Sequence, residues 1–414
     1  MGAALSLGIT RFSYALLLPA MREDLGWSYA LSGAMNTVNA AGYMVGATFM
    51  PWLMRRQGPA WVFIWGGWLA SLFMAASGFF RQPEGLLIQR FLAGYASAWV
   101  FVAGGVLAAR LAQEHPQQSG WLLGLYYGGT GWGIVASALL VPWAMPDITG
   151  WPQAWWCLAA VCALALIPMM PAARALGASS APLATLASQD DPQQWSRWRS
   201  AMRWVLLGYG CFGMGYIGYM TFVIALLRQQ GISDTERTVF YALLGLCVVA
   251  SARLWARLLD RHRDGKSMAL LNALLGMATL LAALNPSLPV LLLSGSLFGA
   301  VFLSVVASTT AFVRHNLPSE WWVKGIGLFT VVFAWGQIVG PTLVGLIADG
   351  SGGFIVCGGF SGTAVFGAQT LTTGTGETWT FIARYNSSRV LQWVTTVQSA
   401  FNSARGLALA LDGS

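Results

Sequence analysis

Long apolar runs alternate with short polar segments along most of the chain. An α-helix needs about 20 apolar residues to cross a bilayer. Six uncharged stretches reach roughly that length: 28–54, 58–80, 91–109, 148–173, 204–227 and 325–348. A seventh, 267–313, contains the turn signal Asn285-Pro286-Ser287-Leu288-Pro289 and therefore predicts two spans.

This pattern predicts an all-α polytopic membrane protein built from two pseudo-symmetric six-helix bundles. Eleven spans are expected at 2–21, 28–54, 59–80, 85–111, 120–142, 151–170, 202–227, 238–259, 266–284, 288–313 and 323–348. The expected domains are an N-terminal bundle (1–171), a hydrophilic linker (172–203), a C-terminal bundle with five clear helices (204–353) and an atypical tail (354–414).

Charged residues are scarce, with 23 Lys and Arg and 15 Asp and Glu among 414 residues, and 56% of the chain is hydrophobic. The net charge of +8 therefore indicates loop orientation and not nucleic-acid binding. Most basic residues fall in one set of alternating loops, and only Arg22, Arg81, Arg228 and Arg237 fall in the other. The positive-inside rule then predicts a multi-pass membrane protein with a cytoplasmic N-terminus; the bacterial inner membrane is the expected location from the family resemblance described below.

The two halves repeat each other at a spacing of about 205 residues. The sequence Arg55-Arg56-Gln57-Gly58 follows the second span, and Asp260-Arg261-His262-Arg263-Asp264-Gly265-Lys266 follows the eighth. Glycine-rich segments also recur in the fifth span and the eleventh. Parallel repeats of this kind are typical of transporters that bind substrate where the two halves meet.

These motifs resemble the major facilitator superfamily, whose basic signature follows the second and eighth spans. The second copy matches well, whereas the first copy lacks the Asp. Segments 89–94 and 336–341 resemble family patterns on the fourth and eleventh spans, and 8–14 with 18–21 resembles the YbfB/YjiJ-type bacterial subgroup. The resemblance implies gating residues: Arg55, Arg56, Gly58, Asp260, Arg261 and Gly265. Topology signalling alone also explains Arg55 and Arg56.

Arg11 is the sharpest candidate for substrate binding because it lies near the middle of the first span. An Arg at that depth costs about 2.5–3.5 kcal/mol on insertion scales, so it must face a partner or a wet cavity. One interpretation is a structural hydrogen bond to backbone carbonyls. The other is that Arg11 binds an anion in the substrate cavity.

The confident spans carry no Asp or Glu at their centres, and His115, His262 and His315 fall in predicted loops. Arg11 and Arg90 therefore predict a positively charged cavity that suits a small organic anion. Anion uptake, exchange and symport with protons are all open alternatives.

Polar and aromatic residues recur on helical faces of several spans and complete the expected site. Asn36, Asn39 and Tyr43 share one face of the second span, and Tyr209 and Tyr216 share one face of the seventh. Helix packing is an alternative explanation for each set. The expected substrate-binding residues besides Arg11 are Tyr14, Asn36, Asn39, Tyr43, Arg90, Tyr126, Trp132, Tyr209, Tyr216 and Gln337.

The sequence has no phosphate-binding loop, metal-ligand cluster or nucleophile motif. We therefore expect no enzyme activity and no cofactor, and a monomer that contacts lipid and a small-molecule substrate. A sensor or scaffold that uses a carrier-like bundle without transport is the alternative.

The tail breaks the pattern, because 350–376 carries nine Gly and five Thr and is poorly suited to a lipid-facing helix. A degenerate twelfth helix is one interpretation. Another is that 354–414 is foreign to the ancestral carrier, and a start trimmed before Met1 is a further hypothesis.

Overall fold

The computed structural model describes residues 1–115, 119–178, 192–262, 265–318, 321–351, 354–361, 363–366, 369–372, 374, 378–385 and 391–397. A π-helix, Ala4–Ile9, opens the chain. The α-helices of the first half are α1 (Tyr14–Leu25), α2 (Tyr29–Gln57), α3 (Pro59–Ser77), α4 (Pro83–Glu114), α5 (Ser119–Ala144) and, after the short 3-10 helix Ile148–Gly150, α6 (Trp151–Ala178).

The second half contains α7 (Pro192–Ala201), α8 (Arg203–Gln229), α9 (Asp234–Leu254), α10 (Ala256–Arg261), α11 (Lys266–Leu284), α12 (Leu288–Asn316) and α13 (Trp322–Ser351). Helices therefore lie at all eleven predicted spans. Eight of the described helical segments are long and apolar enough to cross a membrane by length and composition. The predicted all-α polytopic membrane fold is confirmed.

The chain divides into two compact units, 1–27 with 31–342, and 28–30 with 343–414. In the first unit, α3 packs against α4 and α6, and α12 packs against α9 and α11. The two halves of the chain meet where α5 packs on α9, where α1 packs on α8 and where α2 approaches α13.

Glycines permit the closest of these helix contacts. A Cβ atom on Gly131 of α5 would lie 2.3 Å from the carbonyl oxygen of Gly245 on α9. No side chain fits in that space, so the glycine-rich fifth span brings the backbones of the two halves together.

The second unit corrects the prediction for the tail. Its described residues after Ser351 form β1 (Phe354–Ser361), β2 (Thr363–Phe366), β3 (Gln369–Thr372), β4 (Thr378–Tyr385) and β5 (Leu391–Val397). The strands form an antiparallel sheet in the order β1-β4-β5 and a hairpin of β2 with β3. A degenerate twelfth helix is therefore wrong for these residues, because Gly and β-branched residues disfavour helix and the latter favour strands.

Helices occupy the described ends of the predicted linker. Residues 172–178 belong to α6, residues 179–191 lie outside the described part of the chain, and α7 leads almost directly into α8.

Candidate substrate site

The first transmembrane segment changes helix type where Arg11 lies. The π-helix ends at Ile9, a turn over 10–13 follows, and α1 begins at Tyr14; this turn is called the helix break below. The amide of Thr10 and its hydroxyl both donate to the Leu5 carbonyl, at 3.0 and 2.7 Å. This five-residue spacing is the π-helical pattern, which occurs often at functional sites.

Two carbonyls of this segment accept hydrogen bonds from side chains of other helices, although the Phe12 carbonyl also accepts from the Ala15 amide at 3.3 Å. Arg90 Nη1 on α4 donates to the Thr10 carbonyl at 3.2 Å. The Tyr241 hydroxyl on α9 donates to the Phe12 carbonyl at 2.7 Å. Both halves of the chain therefore hold the helix break in place.

Arg11 is only 3% exposed, and its guanidinium carbon lies 6.0 Å from the centre of the Tyr43 ring. Among the described residues, Nε and Nη2 of Arg11 are buried without a hydrogen-bond partner, and no ion pair includes Arg11. Burial of a guanidinium group in this state is costly, and an acceptor from a ligand would lower that cost.

Arg90 is equally buried, and its Nε and Nη2 also lack a hydrogen-bond partner among the described residues, but its Nη1 and its ring contacts meet the first half. Its guanidinium carbon lies 4.8 Å from the Tyr14 ring centre and 5.5 Å from that of Trp155. Tyr14 donates to the Ser32 carbonyl at 2.9 Å, and the side-chain amide of Asn39 donates to the Arg90 carbonyl at 2.9 Å. Arg90, Tyr14 and Asn39 thus fix the position of the helix break.

Asn36 reaches the other half of the chain. Its amide nitrogen donates to the Thr221 hydroxyl of α8 at 2.6 Å, and its buried oxygen has no partner among the described residues. Asn36 and Asn39, predicted to share a face of α2, therefore contact different helices.

Tyr216 belongs to a stack of aromatic rings in the second half, called the aromatic wall. Tyr209, Phe212 and Tyr216 stack with Phe333 of α13, with ring centres 5.3–5.6 Å apart. Tyr216 also stacks on Phe302, whose ring meets the ring of Phe12 beside Arg11 edge-on at 6.1 Å. The wall therefore extends to the Arg11 segment.

Of the three remaining predicted substrate-binding residues, Tyr126 and Gln337 are largely buried, whereas Trp132 is exposed. The Tyr126 hydroxyl donates to the Phe101 carbonyl at 2.7 Å, and the Phe101 ring lies 6.4 Å from that of Tyr43. Gln337 is buried on α13. Trp132 is 53% exposed, and the structure does not bring it to Arg11.

The predicted gating residues lie at helix ends. Arg55 and Arg56 are exposed at the end of α2, and the Arg56 guanidinium carbon lies 4.6 Å from the Trp52 ring centre. Gly58 has φ +79°, which favours glycine, whereas Gly265 has φ −71°, which any residue adopts.

Arg261 ends α10 and is exposed. The backbone of Asp260 lies in α10, but its side chain is outside the described part of the structure. A pairing role for that carboxylate therefore stays a prediction.

Sequence reasoning missed a cluster of ion pairs at the opposite helix ends. Glu23 at the end of α1 pairs with Arg228 at the end of α8 at 2.5 Å, which joins the two halves. Arg81 pairs with Asp24, which also accepts a hydrogen bond from Trp151 Nε1 at 2.8 Å. A signal for these pairs was present in the sequence, because several of the four Arg residues in the less basic set of loops are close to Asp or Glu along the chain.

A membrane-embedded helical fold with a buried cationic residue between two halves defines the class of multi-pass membrane transporters. The chain belongs to the family described as "Uncharacterised MFS-type transporter YbfB", whose sequence model matches residues 3–373. This confirms the resemblance to the major facilitator superfamily. No curated protein matches the sequence.

Solved structures with the same fold include the nucleoside transporter NupG (14% identity, TM-score 0.61), covering 84% of this chain and 91% of that one. A bacterial homologue of the human lysosomal transporter Spinster, inward-facing and occupied, has 15% identity and TM-score 0.56, with coverages of 84% and 81%. The human organic anion transporter MFSD10 (TETRAN) has 19% identity and TM-score 0.52, with coverages of 84% and 93%. These similarities show the fold, and the family favours a transporter over a sensor or an enzyme.

Proposed function

We propose that this transporter is a secondary active carrier for a small organic anion, with Arg11 binding the anionic group. The observation that carries the proposal is that Nε and Nη2 of Arg11 are buried without an acceptor among the described residues, in a segment held by both halves of the chain. Nε and Nη2 of Arg90 are in the same state, but Arg90 also donates Nη1 to the Thr10 carbonyl and lies against two rings of the first half. A carboxylate or phosphate accepts hydrogen bonds from two guanidinium nitrogens in one plane. A bound anion would thereby supply both the missing acceptors and the missing negative charge.

The position of Arg11 supports a site used by both halves. It lies at the break in the first helix, 6.0 Å from the ring centre of Tyr43 in the first half, and the carbonyl of the next residue, Phe12, accepts a hydrogen bond from Tyr241 of the second half. Midplane sites at discontinuous helices between repeats are typical of alternating-access carriers.

The polar contacts between the halves suggest which end of the carrier is closed. Asn36 lies seven residues from Tyr43, which places it roughly 10 Å nearer the end that carries Glu23 and Arg228. Asn36 bonds to Thr221, and the hydroxyl of Thr37 donates to the Ile338 carbonyl at 2.6 Å. With a cytoplasmic N-terminus in the inner membrane, this closed end is the outer one, so the site would open inward.

The test is transport of labelled mono- and dicarboxylates and phosphorylated solutes into liposomes that contain the purified protein. For an anion that the wild type transports, Arg11→Gln should reduce transport about 100-fold, since two charge-assisted hydrogen bonds contribute about 3 kcal/mol. Arg253→Gln is the matched control, because Arg253 is exposed on α9, and it should transport like the wild type.

Three outcomes would contradict the proposal: anion transport by Arg11→Gln at the wild-type rate, transport of neutral or cationic solutes only, or anion binding without movement across the bilayer. The last result would indicate a sensor. An imposed pH gradient distinguishes two modes of transport. It would accelerate uptake by proton symport, whereas uptake by exchange would require an anion inside the liposomes.

A further inference from the structure

A second cavity, of about 720 Å³, lies away from Arg11 between α7, α8 and α13. Its lining is apolar along most of the cavity and polar at one end. The wall is mainly apolar and comes from Leu206, Leu207, Gly210, Cys211, Met214, Val332, Trp335, Gly336 and Val339. The end formed by α7 and the start of α8 is polar and consists of Ser196, Arg199, Ser200 and Arg203.

The apolar wall faces outward from the helix bundle. Leu207, Trp335 and Val339 are 46%, 57% and 45% exposed. Its floor is formed by backbone, because a Cβ atom on Gly336 would lie 2.6 Å from the carbonyl oxygen of Gly210. The result is a shallow groove on a surface that contacts lipid in a membrane protein, with room for an extended hydrocarbon chain.

The polar end carries two positive charges without acidic partners. Arg199 and Arg203 are both exposed, and neither belongs to an ion pair in the described part of the chain. The Arg203 guanidinium carbon lies 5.2 Å from the ring centre of Trp204. Both Arg residues line the same cavity, and their exposed side chains are available to an anion.

The helix that supplies Arg199 has the character of an interfacial helix. On α7 the rings of Trp195 and Trp198 stack at 5.3 Å, and Trp195 meets Trp321 edge-on at 5.7 Å. The Nζ atom of Lys324 lies 5.9 Å from the Trp195 ring centre. Tryptophan and basic residues together are typical of the headgroup zone, so the polar end of the groove lies at headgroup depth.

We propose that this groove binds one anionic phospholipid, with its phosphate on Arg199 and Arg203 and an acyl chain along α8 and α13. Basic pockets between transmembrane helices are known to bind such headgroups. Charge complementarity and the apolar wall both favour a lipid over a soluble anion, which would leave the wall unused. The lipid would bridge α8, which carries Tyr216, and α13, which carries Gln337, and so stabilise their contact.

The test is native mass spectrometry of the full-length, delipidated protein titrated with dioleoyl phosphatidylglycerol or dioleoyl phosphatidylcholine. The wild type should retain one phosphatidylglycerol in clear preference to phosphatidylcholine. Arg199→Gln with Arg203→Gln should weaken that binding about 30-fold, the effect of two basic contacts.

The control double variant, Arg174→Gln with Arg257→Gln, removes two exposed charges outside the groove and should bind phosphatidylglycerol like the wild type. Val339→Trp keeps both Arg residues and fills the apolar end, and it should also lose the lipid. This second variant keeps the test valid if the double Gln variant does not fold.

Several outcomes would overturn the proposal: equal retention of the two lipids by the wild type, unchanged binding in the double Gln variant, or unchanged binding in Val339→Trp. Glycerol 3-phosphate separates a lipid from a free anion. It should neither displace phosphatidylglycerol nor raise the Tm, and an effect equal to that of the lipid would also refute the assignment.

Discussion

At the scale of single residues, Arg11 and Arg90 show how two buried guanidinium groups differ. Both side chains leave Nε and Nη2 without acceptors among the described residues. Arg90 also donates Nη1 to the Thr10 carbonyl and lies against the rings of Tyr14 and Trp155, and these contacts hold the helix break in position. Arg11 lies beside the Tyr43 ring, 6.0 Å from its centre, and its two nitrogens leave hydrogen-bonding capacity for a ligand.

Replacement of Arg11 should therefore abolish anion binding and raise the stability of the substrate-free protein. Arg11→Leu removes a buried charge that lacks acceptors, so the substrate-free protein should become more stable, by about 1–3 kcal/mol. The stabilisation that a transported anion gives the wild type should disappear. Thermal unfolding in detergent with and without the anion measures both effects, and a variant less stable than the wild type would contradict the argument.

Arg90 should behave in the opposite way. Arg90→Leu leaves the Thr10 carbonyl without its donor, so the protein should lose about 1–3 kcal/mol of stability. Arg90→Lys should recover part of this loss. If Arg90 positions the helix break and does not bind substrate, transport by Arg90→Lys should show a lowered maximal rate with KM little changed. A KM rise with an unchanged maximal rate would instead place Arg90 in the substrate site.

At the scale of elements, the helices differ in how closely they approach. The contact of α5 with α9 depends on backbone meeting backbone at Gly131 and Gly245, with no side chain between them. An added Cβ atom at such a contact would meet backbone and not a flexible side chain. The neighbouring helix therefore cannot relieve the overlap by a side-chain rotation.

Gly131→Ala should consequently destabilise the protein by about 1–3 kcal/mol, because the added methyl group would overlap the Gly245 carbonyl. Gly215→Ala on α8 is the matched control. A Cβ atom there meets nothing within 4 Å, so the change should be neutral or slightly stabilising through helix propensity. Thermal unfolding of the two variants measures the difference. Equal stability of the two variants would show that the close approach at Gly131 does not contribute to the free energy of unfolding.

At the scale of the whole molecule, residues far apart in sequence join the two halves of the transporter. Asn36 with Thr221 and Glu23 with Arg228 link the halves on one side of Arg11. A carrier must break such contacts to open that side and form others elsewhere. The Glu23–Arg228 pair is partly exposed, so it biases the equilibrium modestly, by about 0–1 kcal/mol.

Glu23→Gln should shift the population toward the state open at that end by up to about fivefold. Spin labels at Thr149→Cys and Ser287→Cys, both exposed positions of opposite halves, report the change in a background without native cysteines. Longer distances are expected for Glu23→Gln, and the charge swap Glu23→Arg with Arg228→Glu should restore the wild-type distribution. An unchanged distribution in Glu23→Gln would exclude a gating contribution.

The sequence by itself determined the eleven helices, the membrane class and the superfamily, because a bilayer demands about 20 apolar residues per span and permits few charges. It also singled out Arg11, since a guanidinium at that depth is expensive. It did not reveal the tail strands, because the apolar and glycine-rich pattern of 354–372 fits no single periodicity.

Only the tertiary structure decided which buried groups have partners. The break at Thr10, the partners of Arg90, the Glu23–Arg228 pair and the exposure of Trp132 all depend on contacts between residues distant in sequence. Hydrophobic periodicity reports which side of a helix is apolar, but not which neighbouring helix it meets. The chemistry of the Arg11 site arises from that pairing of helices.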